Sequence, residues 1–280
     1  MRKKSVLSER EETIVRLARA GEWQELIEWL NRGTHHGKPG ASMAEKMLAT
    51  EAMRDAGDRQ VLTERAFVLA AMHSPMAKQI ACALLQELWP DDLSLTELVL
   101  ALTIDDDWEV REWAAPAFTA LLVSEWPRHL PMIEELTMHP HESVKRQIAL
   151  AIKQTAQKRI AGSVDSLLAL TERLLPEEHE YVRKNLGPFC IGDGLLRVYP
   201  QETLSKLKRW ATDEPWPVRW NAVMSFCGAS GSAHPDVAYE ILSGRIDDPH
   251  PLVQKAVKRT IKNLAKRCPE DDRLVSLAKV

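Results

Sequence analysis

Asp105-Asp-Asp-Trp-Glu-Val-Arg-Glu-Trp-Ala-Ala115 has a counterpart far along the chain in Asp213-Glu-Pro-Trp-Pro-Val-Arg-Trp-Asn-Ala222. In both, an acidic turn leads to a tryptophan, and two residues later comes Val-Arg. Aligning Val110 with Val218 places Met76, Val144, Val182 and Val253 in the same register, at spacings of 34, 34, 38, 36 and 35 residues. Self-similarity at that period marks stacked two-helix units, each too small to bury its apolar face alone. With each opening hydrophobe as position zero, position four holds Ile80, Ala114, Ile148, Leu186, Ala222 and Val257. Position eight holds Leu84, Phe118, Ile152, Cys190, Phe226 and Ile261. Residues at that spacing share one helical face, which predicts the buried stripe of each second helix.

Apolar segments at Leu95–Leu102, Leu130–Met138, Leu167–Leu175, Thr203–Trp210 and Val237–Leu242 precede the later openings and supply the first helices. Turns rich in Asp, Pro and His lie between, residues that cap helices and punctuate chains. Two helices per repeat, with an acidic turn leading into Val-Arg, resembles the HEAT repeat. The fold expected is therefore all-α, a HEAT-like helical-repeat solenoid in which antiparallel helix pairs form a right-handed superhelix. About six repeats occupy residues 58–280. Residues 1–57 read as an atypical helical N-terminal cap in the same continuous domain, with helices at Glu9–Ala20 and Trp23–Asn31 and a flexible Gly33-Thr-His-His-Gly37 loop.

The net charge of −3 conceals an asymmetry: residues 1–140 carry 15 Lys+Arg against 23 Asp+Glu (net −8), and residues 141–280 carry 22 against 17 (net +5). The repeat-rich half is the basic half, which permits an anionic partner. Cys82, Cys190, Cys227 and Cys268 show no paired spacing and read as reduced structural thiols of a cytoplasmic protein. Met1-Arg-Lys-Lys runs into charged sequence, so neither a signal peptide nor a membrane partner is expected. His35-His36 and His139-Pro-His141 lack metal-ligand spacing, and Gly192-Asp-Gly194 lacks a dinucleotide fingerprint and reads as close helix packing. No metal or cofactor is expected.

Position one carries Arg111, Lys145, Arg183 and Arg219, which either pair with the acidic turn of a neighbouring repeat or contact an anionic ligand. Position two reads Lys78, Glu112, Arg146, Lys184, Trp220 and Lys255 and points away from the stripe, as a ligand-facing row. Pro116 and Pro188, at position six, leave the carbonyls of Glu112 and Lys184 without helical partners and predict kinks. Trp108 and Trp216 occupy turns, where they either staple the turn or, with Trp113 and Trp220, stack on sugars, bases or a cation. Lys255, Lys258, Arg259, Lys262, Lys266 and Arg267 line the C-terminal helix as a solvated face or as phosphate contacts.

Trp108-Glu-Val-Arg-Glu-Trp-Ala-Ala115, Tyr181-Val-Arg-Lys-Asn-Leu-Gly-Pro188 with Gly192-Asp-Gly-Leu-Leu-Arg-Val-Tyr-Pro200, and Trp216-Pro-Val-Arg-Trp-Asn-Ala222 resemble the HEAT-repeat DNA alkylation-repair proteins, the AlkC and AlkD alkylpurine DNA glycosylase families. The resemblance implies a concave basic surface holding double-stranded DNA, with aromatics and a carboxylate near the lesion's sugar. Trp108 and Glu112 have the four-residue spacing of a tryptophan and the catalytic acid, although this chain has Glu where AlkD has Asp. Glu112 would be catalytic. Trp108, Trp113, Trp216 and Trp220 would contact the substrate, and Lys145, Arg146, Arg183, Lys184 and Arg219 would contact phosphates. The alternative is a non-catalytic scaffold for a protein or peptide partner. A monomer is expected on either reading.

Overall fold

The computed structural model describes residues 7–35 and 38–279. The basic Met1-Arg-Lys-Lys start, and His36 and Gly37 of the expected loop, lie outside those residues. The fold is all-α, a HEAT-like helical-repeat solenoid, and it divides into two compact units, residues 1–121 and 122–280.

Unit 1 begins with α1 (Glu9–Ala20) and α2 (Trp23–Asn31), both at the expected bounds. Ser8 starts α1 through a capping box with Glu11, and Gly21 ends it at φ 75°, a left-handed conformation that glycine adopts without steric cost. Thr34–His35 (β1) pairs antiparallel with Lys38–Pro39 (β2). A second capping box, Ser42 with Glu45, opens α3 (Met43–Asp55). Repeats follow as α4 (Arg59–Ala71) with α5 (Pro75–Leu88), then α6 (Thr96–Thr103) with α7 (Trp108–Val123). Helices α2 and α3 pack on α5, so the cap covers one flank of the first repeat.

Unit 2 contains α8 (Leu130–Leu136) and α9 (Glu142–Lys158), then α10 (Val164–Leu174) and α11 (Glu180–Asn185). The array continues with α12 (Pro200–Trp210) and α13 (Trp216–Met224), then α14 (Pro235–Ser243) and α15 (Pro251–Arg267), and a short α16 (Asp272–Leu277) follows. His141, His179 and His250 cap α9, α11 and α15: in each case Nδ1 accepts the backbone N–H two residues on. The helices begin where the register predicts, and positions zero, four and eight of all six repeats are at most 8% exposed. Burial of this stripe is the main drive for stacking, because no single repeat removes it from water. All four cysteines are free and buried, and burial pushes the Cys190 thiol up to about 12.

Two prolines at the same repeat position meet different fates. Helix α7 continues through Pro116. Before Pro188, α11 gives way to a π-helical segment, Leu186–Leu196. Proline has no N–H to donate, so the ordinary i→i−4 ladder cannot run through it; widened π turns are a known accommodation of such a break. Glycines let this segment lie against both neighbours. A Cβ on Gly194 would sit 3.0 Å from Lys153 Cα of α9, and one on Gly192 would sit 2.6 Å from the Ser225 carbonyl. The expectation of close helix packing at Gly192-Asp-Gly194 is met. Gly192→Ala therefore has no room without backbone movement and should cost about 1–3 kcal/mol; a chemical denaturation midpoint equal to that of the parent would contradict it.

A basic and aromatic groove in the second unit

In unit 2 Lys145 and Arg219 pair as a ladder with the acidic turn of the next repeat, one of the two roles expected of position one. Lys145 Nζ donates to Glu177 Oε2 at 2.5 Å, in the turn of the next repeat. Arg219 donates from Nε and Nη2 to Asp248 at 2.7 and 2.9 Å, again in the next turn, and from Nη1 to the carbonyls of Asp213 and Glu214 in its own. Arg219 and Asp248 are nearly inaccessible. Burial tends to raise the Asp248 carboxyl, but hydrogen bonds from Arg219 and the His250 N–H, with the charges of Arg219 and Arg245, hold it below its ordinary value. Glu177 is lowered in the same way, Lys145 outweighing partial burial.

Arg183 breaks the ladder. Its Nε donates to the Glu178 carbonyl at 3.0 Å, and its guanidinium lies between Trp216 and Trp220, 4.7 and 4.6 Å from the ring centroids. Burial lowers its pKa, with Glu180 and Glu178 opposing. Trp216 stacks in turn on the His250 ring at 4.1 Å with an interplanar angle of 2°. One column, His250–Trp216–Arg183–Trp220, thus joins the starts of α11, α13 and α15. Trp216 is thus held in its turn by His250 and Arg183 while remaining half-buried.

Four of the five residues expected at phosphates are largely occupied by contacts within the chain. Lys145, Arg183 and Arg219 are engaged within the protein. Arg146 is only 8% exposed, with its guanidinium over the Tyr181 ring at 4.8 Å. Lys184 alone of the five is well exposed, in an i,i+4 pair with Glu180 that solvent screens. The position-two row is accordingly not uniform: Lys78, in a repeat whose position one is Ala77, itself takes the ladder role and donates to Asp105 at 2.6 Å.

Unattached positive charge lies instead on α15. Its 17 residues include six cations and no acid. Lys255, Lys258, Arg259, Lys262 and Lys266 are exposed and make no ion pair among the described residues. Lysines at i,i+4, such as Lys258, Lys262 and Lys266, repel one another. Arg259, Asn263 and Arg267, also at i,i+4 spacing, line one side of a groove of about 490 Å³, with Trp220, Phe189 and Lys184 among its other walls. Lys184 and Trp220 are position-two residues, so this end of the row does face a cleft.

In unit 1, Trp108 is 62% exposed at the first residue of α7, unlike its register partner Trp216. Glu112 and Trp113 follow on the same helix, both half-buried. Sequence reasoning missed Lys46. It is 6% exposed, donates from Nζ to Gln79 Oε1 at 2.6 Å, and lies 5.2 Å from the Trp113 ring centroid; Gln79 in turn donates to Glu109 at 3.1 Å. Burial lowers the Lys46 pKa, and the charges of Glu109 and Asp107 oppose that shift. Lys46 lies in the cap, outside the repeat register, where a helical lysine ordinarily faces solvent.

No family model and no curated protein matches the chain. Among solved structures, smu.31 from Streptococcus mutans UA159 is similar, with a TM-score of 0.55 at 17% identity over 77% of this chain and 97% of that one. Two engineered proteins from the Northeast Structural Genomics Consortium align at 14% and 15% identity, with TM-scores of 0.37 and 0.31. The first covers 96% of this chain and 82% of its own, the second 93% and 98%. The likeness to smu.31 is one of fold alone. No helix among the described residues is long and apolar enough to cross a membrane.

Proposed function

We propose that this chain binds double-stranded DNA and acts as an alkylpurine DNA glycosylase, releasing cationic N3- or N7-alkylpurines with Glu112 as its carboxylate. The observation that carries the binding half is α15: six cations without an acid, five of them unpaired among the described residues, beside a groove with aromatic walls. A row of like charges that costs self-repulsion in the free protein is relieved by a polyanion, and each neutralised phosphate releases counterions.

The catalytic half rests on the sequence resemblance together with the exposure of Trp108. In the reaction the C1′–N bond breaks and its electron pair neutralises the cationic base. Positive charge develops on the deoxyribose, and water adds at C1′ while its proton passes to Glu112 or solvent. A carboxylate lowers that barrier by electrostatic stabilisation and by accepting the proton. Exposed Trp108 offers a face to the sugar or base, and the Lys46 ammonium lies over the Trp113 ring.

The test is incubation with N7-methylated duplex and measurement of free base. Release is expected, and Glu112→Gln should slow it about a hundredfold. Binding without release would remove the catalytic half. Absence of duplex binding even at low salt would remove the whole reading and leave the protein- or peptide-binding scaffold.

A further inference from the structure

The groove of unit 2 has a composition that phosphate-backbone contact does not require. Phe189 is 46% exposed at its rim, with the Lys153 ammonium 5.3 Å from its ring centroid. Trp220 is braced by the Arg183 guanidinium against its ring. Asp193, four residues beyond Phe189, also lines the groove as a half-exposed carboxylate, with the Lys153 ammonium 4.0 Å away. Cations Lys184, Arg259 and Arg267 complete the rim, and Arg267 is oriented by donating to the Cys227 carbonyl at 2.8 Å. π-Helical turns recur at functional sites, and here the turn brings Phe189 and Asp193 to the same cleft.

Two aromatics, one carboxylate and three cations in about 490 Å³ match the parts of a nucleotide. Flat apolar faces take a base, a carboxylate accepts from its N–H edge, and guanidinium and ammonium groups take its phosphate. A base that remains stacked within a duplex cannot enter such a cleft. We infer that the groove holds one unstacked nucleotide, its base against Trp220 and Phe189 and its phosphate on Arg259, Arg267 and Lys184. The site is separate from Glu112, and it rests on the DNA-binding reading only for the source of the nucleotide.

Two duplexes with a single 2-aminopurine test this, one with the base paired and one with it bulged. The bulged duplex should bind about tenfold more tightly, with quenched 2-aminopurine emission, and Phe189→Ala should abolish most of that preference. Phe189 is exposed, so the variant should fold; Arg259→Gln gives a second, independent loss. Equal affinity and unchanged emission for both duplexes overturn the inference even where duplex binding itself holds. The third arm is 2-aminopurine deoxyriboside monophosphate. If it alone binds, sensitive to Phe189→Ala, the groove is a free-nucleotide site and the DNA reading fails. If none of the three binds, both fail.

Discussion

Arg219→Ala is expected to destabilise unit 2 by about 3–5 kcal/mol, the range for removing one partner of a buried ion pair. The pair is nearly inaccessible, and the same guanidinium satisfies two carbonyls of its own turn, so the variant leaves the carboxylate with only the His250 N–H and the more distant Arg245 among the described residues and takes the donor from two acceptors as well. Asp248→Asn should cost a comparable amount, because the arginine then loses its counter-charge. Chemical denaturation measures both, and a loss below about 1 kcal/mol would place the pair among screened surface bridges. The effect carries a pH signature. Asp248 has a folded pKa below its ordinary 3.8, so its contribution is fully present above that value and is lost as pH falls through the lower folded one. Glu177 adds a similar term below 4.5. Acid destabilisation should therefore steepen below about pH 4.5, and Asp248→Asn should flatten the part below 3.8.

The second large effect concerns DNA. Lys255, Lys258, Lys262 and Lys266 are exposed and unpaired among the described residues, and glutamine keeps helix propensity while removing charge. If each neutralises one phosphate, replacing all four lowers the log–log salt slope by about 3.6 and weakens binding at 0.15 M salt roughly a thousandfold. Fluorescence anisotropy against salt reads both quantities. Stability should hold or rise slightly, since i,i+4 repulsion between the lysines is relieved. Unchanged slope and affinity would move the phosphate contacts off α15. These four lysines were chosen apart from Arg259 and Arg267, so the duplex term and the nucleotide groove are measured separately.

Much of the fold was legible because its signal is local. A buried stripe at positions zero, four and eight repeats wherever a second helix must hide one face, and one sequence displays it. Helix starts were legible for the same reason: Ser8, Ser42 and the turn histidines act on N–H groups two or three residues away. The ladder was half legible. Arginine and lysine at position one could be read, but whether each meets a carboxylate depends on a turn about thirty residues later.

The candidate site was less legible for that reason. Trp108 and Trp216 share a motif and a register, yet one is exposed and the other is stapled. The difference is His250, a residue of another turn that stacks on Trp216. Lys46 gave no sequence signal, because its burial comes from helix α3 meeting Gln79 and Trp113.

By itself, the sequence determined the helical repeat, its register, its buried positions and the concentration of basic residues in the second half. Those properties follow from side-chain periodicity and composition, which neighbours along the chain dictate. Tertiary structure decided which cations are committed and which are free. Arg183 and Arg219 are held by groups that only stacking brings near, whereas the lysines of α15 meet no acid among the described residues. It also decided that Pro188, unlike Pro116, gives way to a π segment, whose glycines fit between α9 and α13 and whose Phe189 and Asp193 line the groove.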